Sequence, residues 1–151
     1  MQNELHIRSA QPGDEHAIMG LIHELAEYEK APEQVINTAE QLANDLFVDH
    51  ICSCLVLEKE GKIIGMALYY MSYSTWKGRC LYLEDFYIQP GHRRGGGGKL
   101  LFDALLKEAN RLQVKRMDWQ VLDWNEPAIR FYEKVGAELD PEWLNGRLYF
   151  D

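Results

Sequence analysis

Apolar and polar positions change period several times along this chain, and the changes lay out the elements. Leu5 and Ile7 alternate with His6 and Arg8 as in a short half-buried strand, and Pro12-Gly13-Asp14 follows as a turn ending in a helix-capping residue. Ile18, Leu21, Ile22 and Leu25 recur at helical spacing, which predicts a helix with one buried stripe ending near Tyr28. Residues 29–37, with Pro32 among them, read as a loop. Thr38-Ala39-Glu40-Gln41 matches a capping box that opens a second helix, with Leu42, Leu46 and Phe47 as its apolar face.

The middle of the chain reads as strands. Residues 54–58 and 63–70 form an expected hairpin around Glu60-Gly61-Lys62, and residues 79–88 a third consecutive strand, all antiparallel. Leu101, Ala104, Leu105, Ala109 and Leu112 then mark an amphipathic helix, and residues 116–122 return as a strand. Strand, helix and strand in that order favour a parallel crossover. Asn125 caps a last helix with Pro127 in its first turn and Gly136 at its end, and Gly146-Arg147-Leu148-Tyr149-Phe150 reads as a closing strand. The fold class expected is α+β, a mixed central β-sheet flanked by helices, with residues 1–151 as one domain.

Between the third strand and the amphipathic helix stands Ile88-Gln89-Pro90-Gly91-His92-Arg93-Arg94-Gly95-Gly96-Gly97-Gly98-Lys99. Glycines let backbone N–H groups converge without side chains in the way, and a helix start adds unpaired donors and the positive end of its dipole. Such a turn suits a diphosphate. The dinucleotide fingerprint requires a glycine spacing that Gly95 to Gly98 do not have, and the ATP-type loop requires Ser or Thr where Leu100 follows Lys99. Taken by itself, the run also reads as a flexible linker.

Composition narrows the picture. With 151 residues, 46% of them hydrophobic, the chain is sized for one substantial core. No apolar run has membrane-spanning length and residues 1–6 lack the regions of a signal peptide, so the expected location is cytoplasmic, with no membrane partner. A formal net charge of -8 argues against a nucleic-acid partner and mildly favours cationic small molecules. Three cysteines and five scattered histidines lack metal-ligand spacing, and no metal is expected.

Two separated motifs carry a family resemblance. Ile88-x-Pro90 followed by Arg93-x-x-Gly96-x-Gly98 resembles the acetyl-CoA pyrophosphate loop of the GNAT superfamily of N-acetyltransferases. Asn125-Glu126-Pro127-Ala128-Ile129-Arg130-Phe131-Tyr132-Glu133-Lys134-Val135-Gly136 resembles its second signature, Asn-x-x-Ala-x-x-Phe-Tyr-x-x-x-Gly. Leu25-Ala26-Glu27-Tyr28-Glu29, Tyr82-Leu83-Glu84-Asp85-Phe86-Tyr87 and Val121-Leu122-Asp123-Trp124-Asn125 are similar to the diamine (spermidine/spermine) acetyltransferase branch, which includes thialysine-preferring enzymes. The resemblance runs from Ile7-Arg8 to the end of the chain and implies a single N-acetyltransferase domain using acetyl-CoA without a metal, commonly as a homodimer.

Acetyl transfer to an amine requires a neutral nucleophile, a polarised carbonyl and a proton for the departing thiolate. An alkylammonium of pKa about 10.4 arrives protonated, so a base must act on it. Glu84, a carboxylate in an apolar and aromatic strand, is the candidate, directly or through a water, as the resemblance also implies; an isolated strand carboxylate can equally face solvent or form an ion pair. Asp85 is adjacent, so both carboxylates enter one cleft only if a bulge intervenes. Tyr132 is the candidate acid for the thiolate, with Phe131, about 100° away on the helix, filling the core.

The resemblance places the cofactor against Phe86, Tyr87 and Ile88, where the strand splays from its neighbour. It adds Arg93, Arg94, Gly95, Gly96, Gly97, Gly98 and Lys99 of the turn, and Asn125, Glu126, Pro127 and Ala128 of the last helix. For the amine it implies Tyr28, Glu29, Trp76, Glu84, Asp118, Trp119 and Gln120, although Tyr28-Glu29 also reads as a helix end with a solvated charge. Three positions depart from the branch. Gly97 stands where an apolar β-branched residue is usual and is expected to loosen the turn, while Ser74 and Leu144 replace acidic residues, which favours a shorter amine over a long polycation. The function expected is direct acetyl transfer in a ternary complex to a primary amine of a polyamine, diamine or thialysine-like metabolite. The alternatives are an acyl-CoA sensor without turnover and a protein-lysine acetyltransferase.

Overall fold

The computed structural model describes residues 4–150. Strands β1 (Leu5–Ser9), β2 (Ser53–Lys59), β3 (Lys62–Ser74), β4 (Gly78–Ile88) and β5 (Arg116–Asp118) lie in the spatial order β1-β2-β3-β4-β5. The first four form an antiparallel meander and β5 joins parallel to β4, because helix α3 (Gly97–Arg111) carries the chain back across the sheet. This is the mixed sheet that the periodicities predict. Among the described residues no helix is long and apolar enough to cross a membrane.

Helices α1 (Glu15–Tyr28) and α2 (Ala39–Phe47) bury Ile18, Met19, Leu21, Leu42 and Leu46 against Cys54, Val56, Met66, Leu68 and Tyr87 of the sheet. Helix α3 presents Leu101, Phe102 and Leu105 as its buried face. The local signals act as the residue types dictate, with two differences. Thr38 Oγ1 accepts from Gln41 N at 3.1 Å, but the Gln41 side chain donates forward to Asp45 at 3.0 Å, so only half of the capping box forms. Asp14 stands at the N-cap of α1 without capping it, since its carboxylate accepts from Arg8 at 2.6 Å and from Gln11 N at 2.8 Å. Arg8 also reaches Glu58 at 3.1 Å, tying β1 to β2 and to the approach of α1.

The chain divides into two compact units, Met1–Trp119 and Gln120–Asp151. The first holds the whole sheet with α1 to α3. The second holds α4 (Glu126–Lys134), where Asn125 Oδ1 accepts from Ala128 N at 3.4 Å and Pro127 stands in the first turn.

Two strand expectations are corrected. β5 ends at Asp118 instead of continuing to Leu122, because its register with β4 stops at Tyr82, two residues before β4 bulges. Residues 146–150 form no closing strand; Leu148, Tyr149 and Phe150 carry the right pattern and stay exposed. A strand needs a partner for its backbone donors and acceptors, and the second unit has no strand among its described residues.

Candidate active site

The organising feature is a skipped residue. Across the β3–β4 ladder Leu68 stands opposite Asp85 and Tyr69 opposite Leu83, which leaves Glu84 as the extra residue of a bulge. The bulge that the adjacent carboxylates require is therefore present. Glu84 is exposed and Asp85 half-buried. Burial, then the charge of Glu84, then that of Glu29, push the Asp85 carboxyl up to about 7. Burial and Glu84 likewise raise Glu29, the residue that follows α1, and Tyr70 on β3. Glu29, Glu84 and Asp85 thus share one field, rimmed by the Tyr70 ring, which stacks at 5.3 Å on Tyr82. No group of three or more His, Cys, Asp or Glu among the described residues could hold a metal ion.

At the other end of β4 the chain passes through a 3-10 turn, Pro90–Gly95, into Gly96 at φ 81° and then α3. Only glycine adopts that left-handed conformation without strain, and it sets the helix start beneath the turn. The first intrahelical bond is Leu100 N to Gly96 O at 3.0 Å. The N–H groups ahead of it lack helical partners, and Gly95, Gly96 and Lys99 around them are exposed. Unpartnered, exposed N–H groups at a helix start are the donors that an anion requires. Among the described residues, no strand is registered against the β5-side edge of β4 beyond Tyr82, the stretch that includes Phe86, Tyr87 and Ile88.

The turn's cations differ in what they do. Arg94 is exposed, whereas Lys99 pairs with Asp103 at 2.8 Å. The Arg93 Nε donates to the Ile88 carbonyl at 2.8 Å, and its guanidinium lies 5.5 Å from the Tyr87 ring centroid and 5.8 Å from that of Tyr28. Glu24 of α1, which the sequence pattern does not single out, accepts from the Tyr87 hydroxyl at 3.1 Å and from Gln89 Nε2 at 3.0 Å. A helix-stripe argument cannot see it, since both donors come from another element.

Several expected amine-side residues are not brought to the carboxylates. Trp76 is 89% exposed at the tip of the β3–β4 hairpin, whose ladder runs out to Ser74 opposite Gly78. From the start of β4 at Gly78 to Glu84 is already six strand steps, roughly 20 Å. Asp118 is paired with Arg116 at 2.8 Å, and Trp119 sets its ring edge-on to Phe102 at 6.1 Å, in line with the Phe86–Phe102 contact at 5.7 Å. Gln120, in the second unit, donates to Asn145.

In α4 the expected division of labour is reversed. Tyr132 is 7% exposed and Phe131 half-buried, with the rings edge-to-face at 5.6 Å. Asn125, Ala128, Ile129 and Tyr132 fall at i, i+3, i+4 and i+7, so Tyr132 shares the helix face of the capping Asn125 and Ala128, and Phe131 lies off it. Cys80 is buried, its Sγ 3.5 Å from the Gly78 carbonyl.

The chain has relatives among known proteins. It is 39% identical over 129 residues to a thialysine N-epsilon-acetyltransferase of Caenorhabditis elegans, covering 85% of this chain and 80% of that one. It is 40% identical over 90 residues to an L-ornithine N5-acetyltransferase of Arabidopsis thaliana, covering 59% of this chain and 40% of that one. The fold matches an aminoglycoside acetyltransferase from an uncultured soil metagenomic sample with TM-score 0.79 at 18% identity, over 97% of both chains. The Acetyltransferase (GNAT) family model matches residues 18–137, a stretch that takes in the bulged strand, the glycine turn and the Asn-capped helix. On that match, the chain belongs to the acetyltransferase (GNAT) family.

Proposed function

We propose that this protein transfers the acetyl group of acetyl-CoA directly to a primary amine of a small cationic metabolite, a diamine, polyamine or thialysine-like compound, in a ternary complex. The observation that carries the reading is the β4 bulge, which sets Glu84 beside Asp85 in one field with Glu29. That field attracts an ammonium ion, and Glu84 then removes its proton, directly or through a water. Asp85, held near neutrality, is a second acceptor in reach of the same field. The names of the relatives, whose substrates are thialysine and ornithine, support a small amine.

The acetyl donor supplies the thioester. On the protein's side, the N–H groups ahead of α3 and Arg94 hold its diphosphate, the edge of Phe86, Tyr87 and Ile88 pairs with its peptide-like arm, and Asn125, Glu126, Pro127 and Ala128 serve the same ligand. The Tyr132 hydroxyl protonates the leaving thiolate. Tyr28 and Glu29 receive the amine's distal end. Cytoplasmic location, a homodimeric assembly, and the lack of membrane and nucleic-acid partners complete the reading.

The test is thiol release from acetyl-CoA against spermidine, spermine, short diamines, lysine, ornithine, thialysine and aminoglycosides. A short diamine or lysine analogue with the highest kcat/KM is the expected result. Silence across the panel, with CoA still bound, would favour an acyl-CoA sensor.

A further inference from the structure

The sequence motif assigns Arg93 to the cofactor's phosphates, but its surroundings point elsewhere. Its Nε is taken by the Ile88 carbonyl, and its guanidinium is in range of the Tyr87 and Tyr28 rings, 5.5 and 5.8 Å from their centroids. Tyr28 closes α1, and the next residue, Glu29, feels the charge of Glu84. Tyr87 and Gln89 meanwhile hold Glu24, one helical turn before Tyr28. Glu24 and Tyr28 are i and i+4, so one face of the last turns of α1 is gripped by three residues of the segment from β4 into the glycine turn. Arg93 and Arg94 are both exposed, but Arg93 is held by the Ile88 carbonyl, whereas Arg94, one residue further on, keeps its donors for a phosphate.

We infer that Arg93 is a positioning residue which ties the glycine turn to the end of α1, so that occupation of the turn and recognition of the amine are energetically coupled. This rests on the function proposed above. The physical link is continuous. A diphosphate that orders the turn fixes Arg93, Arg93 fixes the Tyr28 ring, and Tyr28 fixes the backbone that carries Glu29. A stacked planar guanidinium does this in a way that a lysine ammonium cannot, because the ammonium has no flat faces and no Nε to hold the Ile88 carbonyl.

Coupling is read directly by hydrogen exchange, with CoA itself as the probe. In the wild type, CoA is expected to slow exchange of the amides at residues 25–29. In Arg93→Ala and Arg93→Lys that protection is lost while CoA affinity, by titration calorimetry, falls less than about fivefold. With saturating acetyl-CoA the amine KM rises about tenfold with a smaller change in kcat. Tyr28→Leu reproduces the effect and adds little to Arg93→Ala, whereas Arg94→Ala weakens CoA about tenfold and leaves the protection intact at saturation. Thermal melts check that each variant is folded, and Arg93→Lys with Tyr28→Leu carries the test should Arg93→Ala not fold. The inference is overturned if Arg93→Ala loses CoA as Arg94→Ala does while residues 25–29 remain protected, or if the wild type shows no such protection or binds no CoA. A wild type that binds CoA and acetylates no amine sinks the proposed function alone, since the exchange experiment still decides the coupling.

Discussion

A Cβ built on Gly97 would lie 2.8 Å from Leu57 Cδ2, so the start of α3 rests directly on the second strand of the sheet. Leu57 is fully buried, so a side chain at Gly97 must displace its Cδ2 within the core. The apolar β-branched residue usual in the resembling loops would have to push that leucine methyl aside here, a contact that glycine avoids. Gly97→Val is expected to destabilise the fold by about 1–3 kcal/mol through overpacking, against a gain in helix propensity below about 1 kcal/mol. Urea unfolding checks this, and Leu57→Ala should recover part of the loss when combined with Gly97→Val although it is harmful alone. Additive losses would show that the two positions do not compete for space.

Glu84→Gln should lower kcat/KM for the best amine by about 10²- to 10⁴-fold, the usual contribution of a positioned base. The deficit should shrink as pH rises and more amine arrives neutral. Rates unchanged near neutral pH would remove Glu84 from proton transfer.

The Asp85 carboxyl sits at about 7 when folded against 3.8 for an unperturbed one, because burial and the charges of Glu84 and Glu29 disfavour its ionised form. Between those values the folded protein holds a proton that the unfolded chain has released, so this contribution is fully present below about pH 4 and is lost as pH rises through 7. Unfolding free energy measured from pH 5 to 8 should therefore fall more steeply in the wild type than in Asp85→Asn. Parallel profiles would mean that Asp85 is ionised throughout.

Tyr132→Phe keeps the ring and its edge-to-face contact with Phe131 and removes only the hydroxyl. The expected result is a fall in kcat of about 10²-fold with CoA binding nearly unchanged. A loss of CoA affinity with kcat intact would make Tyr132 a packing residue.

Cys80 is buried against the Gly78 carbonyl with no histidine beside it in the ladder, a poor setting for an acyl carrier. Cys80→Ala should leave turnover within about twofold and reduce stability by about 1 kcal/mol. Trapping of an acetylated enzyme would refute direct transfer.

The sequence by itself determined the elements whose causes are local. The stripe of α1, the hairpin at Glu60-Gly61, the Asn125 cap and the glycine turn each follow from side-chain period or from hydrogen bonds spanning a few residues, and all are present. It also held both motifs that identify the family. What it left open is whatever depends on register between strands or on contacts between elements. Glu84 and Asp85 are neighbours in any sequence reading, and only the slip between Leu68 and Tyr69 turns them into a pair sharing one field with Glu29. The sequence could not show that the rings of Tyr28 and Tyr87 stand beside Arg93, nor that the ladder carries Trp76 to the tip of the hairpin. Tyr132 is more buried than Phe131 because a helix face is set by the whole i, i+3, i+4, i+7 series and not by one adjacent pair. Local periodicity sets which residues form an element, whereas a site is assembled by contacts distant in sequence, and those exist only once the sheet has chosen its register.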